Sequence, residues 1–136
     1  MNSTLVRSFT LESEVFMRGI KIDPIARTIT EVDVKSPNSS LQSLYELIGC
    51  NLVEIVQIDR EMVLVCDEEG KLKTIEGAFT FYGSDLVIAG TAIILGDRDG
   101  RFKALPENIE SFKIITQWVD PADVPEPTFK VCFFED

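Results

Sequence analysis

The sequence predicts an α+β fold, a largely antiparallel twisted sheet with about two helices packed on one face. Three observations carry that reading. Most strand-like runs are joined by short turns, among them "VCDEEGK" and "GDRDG". One segment, "SPNSSLQSLYELIGC", has the spacing and the end signals of a helix. And "LVIAGTAIILG" is a near-continuous apolar run of the kind that fills the centre of a sheet. Residues 15–118 are predicted to form a single domain. A polar arm precedes it at 1–14, and a Pro-rich connector with a C-terminal strand or docking tail follows at 119–136.

The elements follow in order. "FMRGIKIDP" alternates at Ile20 and Ile22 before the turn pair Asp23-Pro24, and "RTITEVDV" alternates at Ile29, Val32 and Val34. Together they predict a β-hairpin with one wet face. In the helix, Ser39 and Gln42 have capping-box spacing. Leu41, Leu44, Tyr45 and Ile48 recur at i, i+3, i+4 and i+7, and Gly49 follows as a left-handed terminator. That stripe makes Tyr45 a core aromatic in preference to a stacking platform. "NLVEIVQID" alternates imperfectly. "EMVLVCDEEGKLKTI" reads as a strand, a turn and a return strand, its glycine taking φ > 0. Gly90, inside the apolar run, predicts a bulge or a close approach. "PENIESFKIITQWV" reads as a second helix with Pro106 at its first position, and "DPADVPEP" as an extended connector. In "TFKVCFFED", Phe129, Val131 and Phe133 share one face and Phe134 opposes them. Such a tail needs a surface, either on its own sheet or on a partner.

Composition removes several functions. The chain has no histidine, which excludes Ser–His–Asp and Cys–His catalysis within it. Cys50, Cys66 and Cys132 are odd in number and far apart, as reduced thiols are and disulfide frameworks are not. No apolar run approaches the ~18 residues of a membrane helix, and the first residues lack the pattern of a secretory signal. The predicted location is cytoplasmic. The net charge is −10, and residues 41–136 carry all of that excess, with eight basic and eighteen acidic side chains. Such a surface repels phosphate backbones, so direct nucleic-acid binding is disfavoured.

Two acidic clusters invite a metal reading, and spacing argues against it. Asp67, Glu68 and Glu69 are consecutive, so on extended backbone their side chains diverge. Asp97 and Asp99 precede Gly100, but the twelfth loop position, where a calcium loop needs glutamate, is Asn108. No metal, cofactor or catalytic residue is assigned. Nucleotide-binding glycine motifs are absent, and basic–aromatic interleaving is confined to Arg101–Lys103.

The succession "IKID", "LQSLYELIGCNLVEIVQID", "MVLVCDEEGKLK", "DLVIAGTAIILGDRDGRF" and "LPENIESF" resembles a small domain family of unknown function found in bacteriophages, plasmids and their hosts. The resemblance spans about residues 19–113. It implies an accessory protein, encoded by a phage or mobile element and acting in the host cytoplasm, with no activity to carry over. The leading expectation is therefore a non-enzymatic protein that binds, and by binding inhibits, a basic host protein. Its candidate contacts are Asp67, Glu68, Glu69, Asp97, Asp99, Phe133, Phe134, Glu135 and Asp136. The alternative is a small-ligand protein that sequesters a nucleotide signal through Tyr82, Arg101 and Phe102. An enzyme of unrecognised type is third. A homodimer is among the assemblies the sequence allows.

Overall fold

The computed structural model describes residues 15–36 and 40–125. The arm at 1–14, the Ser39 half of the capping box and the tail residues Phe133, Phe134, Glu135 and Asp136 lie outside them.

The chain opens with the expected hairpin, β1 (Val15–Asp23) and β2 (Thr28–Ser36), in unbroken register from Val15↔Ser36 to Asp23↔Thr28. Asp23 nucleates its turn: the carboxylate accepts from the N–H groups of Ile25 at 3.0 Å and Ala26 at 3.1 Å. Helix α1 (Ser40–Ile48) ends as its sequence predicts, with Gly49 at φ 83° and its N–H donating to Tyr45 C=O. Leu44 is fully buried, flanked by Leu47 and Ile48, whereas Leu41 is exposed and Tyr45 half-buried, outside both core clusters. The buried stripe is therefore shifted by one residue row from the predicted one.

β3 (Val53–Asp59) and β4 (Met62–Asp67) form a second hairpin with a register shift between Gln57 and Asp59. The predicted return strand after β4 does not form. A 3-10 turn, Gly70–Leu72, stands there instead. Gly70 is not in the left-handed region. It is needed because a Cβ would sit 2.7 Å from the Ala89 carbonyl oxygen, so the turn packs directly on backbone.

The long apolar run is two strands. β6 (Val87–Ala89) and β7 (Ala92–Arg98) flank Gly90 at φ 91° and belong to different sheets. β7 is the buried central strand the run predicts: Ala92 to Leu95 are wholly inaccessible to solvent, each of the larger side chains contributing about 1.5–3 kcal/mol by burial. It turns through Asp99 (φ 53°) and Gly100 (φ 82°) into β8 (Arg101–Lys103), so the short turn read from "GDRDG" is a two-residue hairpin loop.

The second helix is shorter than predicted. α2 (Ile109–Ile115) is capped by Asn108, whose side chain accepts from Glu110 N–H at 2.9 Å, and Pro106 lies before it. Thr116–Val119 is then β9, which pairs with β5 (Ala78–Phe81) through Phe79↔Trp118. Strand pairing outcompetes helix here because Ile115, Thr116, Trp118 and Val119 are β-branched or aromatic. Within the Pro-rich connector, Pro121–Asp123 forms a 3-10 turn capped by Asp120, so that stretch is not wholly extended.

The larger sheet runs β2-β1-β7-β4-β3, with β8 also on β7, and a smaller one runs β6-β5-β9; every pairing is antiparallel. Alternation along the strands sends Met17, Val34, Val63, Val65, Ile93 and Leu95 to one face and Ile20, Ile22, Leu64, Cys66, Ala92 and Ile94 to the other. Leu44 of α1 packs on the first face. Phe112 of α2, with Phe79 and Ile88 of the small sheet, packs on the second. The fold is α+β, but its helices cover opposite faces, because both faces of β4 and β7 are apolar and each needs a cover.

Candidate functional site

The acidic turns stand at opposite ends of the sheet. Cys66 pairs with Ala92, and Asp97 lies five residues further along β7, about 17 Å at ~3.4 Å per residue. The two clusters therefore do not merge. Asp97 and Asp99 share their end with Glu61 and with Arg60, Arg98, Arg101 and Lys103, so three carboxylates there stand among four cations. Asp67 is largely committed to structure. One oxygen accepts from Glu69 N–H at 2.9 Å, and the other holds the Lys73 ammonium at 2.7 Å, a contact that raises the lysine's pKa. Glu68 and Glu69 are left exposed. Among the described residues no three Cys, Asp or Glu side chains converge as metal ligands.

The alternative trio is not assembled either. Phe102 packs with the cluster on the α1 face, whereas Tyr82 is exposed on the turn after β5, in the sheet that covers the opposite face. Arg101 lies beside Phe102 without Tyr82.

What the fold does build is a cleft of about 290 Å³ between the two sheets. Glu54 and Val56 of β3, Cys66 and Asp67 of β4, and Glu68 form one side. Gly70 to Leu72 close one end, and Leu86 to Ala89 form the other side. Leu86 and all three residues of β6 border it, so the strand presents its edge rather than one pleated face. The interior is apolar and the rim carries Glu54, Asp67 and Glu68 against Lys71. Sequence reading missed this site except for Asp67 and Glu68. The signal for it was the imperfect alternation of "NLVEIVQID", which marks β3 as an edge strand with Glu54 and Asp59 standing outside a small apolar centre.

Cys66 belongs to the cleft but is not primed to react. Burial pushes its thiol from an ordinary 9.0 up to about 12, and the Glu54 and Asp67 carboxylates push the same way. Burial also raises Cys50. Alkylation of Cys66 in the native chain, followed by mass spectrometry, is expected to be at least about tenfold slower at pH 8 than in urea. The raised thiol favours the folded state fully below pH 9. That contribution is lost as pH rises from 9 towards about 12, so urea midpoints are expected to fall over that window. Equal alkylation rates in native buffer and urea would show that the thiol is open to water.

Among the described residues no helix is long and apolar enough to cross a membrane. A family model described as "Domain of unknown function (DUF3846)" matches residues 17–118. No curated protein and no solved structure matches the chain.

Proposed function

We propose that this chain, which belongs to the family of domains of unknown function DUF3846, is a non-enzymatic interaction protein that docks a basic protein partner on its β3–β4 flank. One observation carries the reading. Residues 53–69, the β3–β4 hairpin and the first two residues of the turn after it, hold six acidic side chains and one basic, which is half of the chain's net charge of −10. Glu54, Asp59, Glu61, Glu68 and Glu69 of that stretch are exposed, so their field reaches solvent and steers a cation at a distance of about a Debye length, ~10 Å at 0.1 M salt. The surface retains Glu68 and Glu69 from the sequence prediction, whereas Asp67 is held by Lys73. It leaves out Asp97 and Asp99, whose charge is locally cancelled. The absence of histidine and the protonated thiols favour binding over catalysis. A small accessory role, with a host protein as the inhibited partner in the host cytoplasm, is the setting the resemblance to phage and plasmid domains implies.

Affinity capture with the full chain at 50 and 300 mM salt tests this. The bound partner is expected to be lost at the higher salt. A triple variant, Glu54→Lys, Glu68→Lys and Glu69→Lys, is expected to weaken its binding at least about tenfold. Asp97→Asn with Asp99→Asn, which places no cation beside Glu61, is expected to weaken it far less. Salt-insensitive capture, or equal loss with both variants, would sink the assignment to this flank.

A further inference from the structure

We propose that the open edge of β3 takes an extended segment of that basic partner as an additional strand, an inference that rests on the acidic-flank reading and supplies its binding mode. Among the described residues β3 pairs only with β4, and no strand lies on its other side. The register shows which groups are available there. Glu68 N–H donates to Leu52 C=O at 3.1 Å, next to the Val53↔Asp67 pair. Val53↔Asp67 is therefore a non-hydrogen-bonded pair, and Val53, Ile55 and Gln57 direct both N–H and C=O away from β4. The register shift after Gln57 ends this usable edge.

Side chains then specify the occupant. Ile55 is half exposed on one face of the centre of β3, and Val56 lines the cleft on the other. Leu52, Leu72 and Leu86 are also exposed, the latter two at the cleft. Acids stand beyond both ends of this apolar centre, Glu54, Glu68 and Glu69 at one and Asp59 and Glu61 at the other. The complementary ligand is an extended segment with apolar residues in its middle and Lys or Arg at both ends. Its backbone pairs with Val53, Ile55 and Gln57. Side chains on one face reach the cleft beside Val56, and those on the other cover Ile55. A strand added at the usual ~4.8 Å spacing places its terminal cations within reach of the flanking carboxylates.

The test is amide hydrogen exchange by NMR on the full chain, with and without the capped peptide Lys-Lys-Val-Thr-Val-Thr-Val-Lys-Lys at low salt. The Val53, Ile55 and Gln57 amides are expected to exchange freely alone and to slow at least about tenfold with saturating peptide. A peptide with every backbone nitrogen methylated is expected to leave them fast, as is one with Glu in place of Lys. Three results overturn the proposal. If these amides are already protected without peptide, the edge is occupied by the chain's own residues or by a second copy. If the peptide binds in a salt-dependent way without slowing them, acidic docking stands and strand addition falls. If no cationic peptide binds, both readings fall.

Discussion

Replacing Phe79 with alanine is expected to lower the unfolding free energy by about 3–5 kcal/mol, the usual cost of emptying a buried aromatic site. Phe79 is wholly inaccessible to solvent and meets the Phe81 ring edge-on at 5.6 Å. It sits mid-strand in β5, between Ile88 on β6 and Trp118 on β9, and packs with Ile20, Ile22, Leu64 and Ile94 of the larger sheet. One side chain thus connects the small sheet to the large one. Domains of this size have only about 5–15 kcal/mol in total, so the variant is expected to be marginal in urea titration. Tyr82→Ala, three residues on and exposed, is the control and is expected to stay within about 0.5 kcal/mol. A loss under 1 kcal/mol for Phe79→Ala would mean that the small sheet is not seated on the large one as described.

Gly77→Ala is expected to cost about 1–3 kcal/mol, although it adds only a methyl group. That carbon would lie 2.7 Å from the carbonyl carbon and oxygen of Pro24 and 2.8 Å from Ile25 nitrogen. All three are backbone atoms in the β1–β2 turn, which Asp23 holds in place. No rotamer change relieves the collision, so either the turn or the start of β5 must move. Chemical denaturation measures the loss, and an NMR spectrum locates it, since shifts are expected around Ile25 and Ala78. An unperturbed Ile25 signal would contradict the close approach.

Much of the fold was legible because local chemistry dictates it. Alternation specified β1 and β2, Gly49 specified the end of α1, and Asp99-Gly100 specified the β7–β8 turn. The errors share one cause. Gly70 and Gly90 look alike in sequence, but the first makes room for backbone from a distant segment and the second divides an apolar run between two sheets. Likewise "TQWV" reads as helix until β5 offers it a hydrogen-bonding edge. The acids of "VCDEEGK" were visible as a cluster, but not the cleft they border, since its other wall comes from Leu86 to Ala89.

The sequence by itself determined the class of fold, the acidic excess, the exclusion of histidine chemistry and the position of most turns. Each of these follows from composition or from interactions within a few residues. Tertiary structure alone decided that the helices cover opposite faces and that the two acidic turns stand apart. It also decided that, among the described strands, β3 pairs on one side alone, beside an apolar cleft. Those are consequences of strand order, and strand order is set by which apolar faces bury each other across the whole chain rather than by any local pattern.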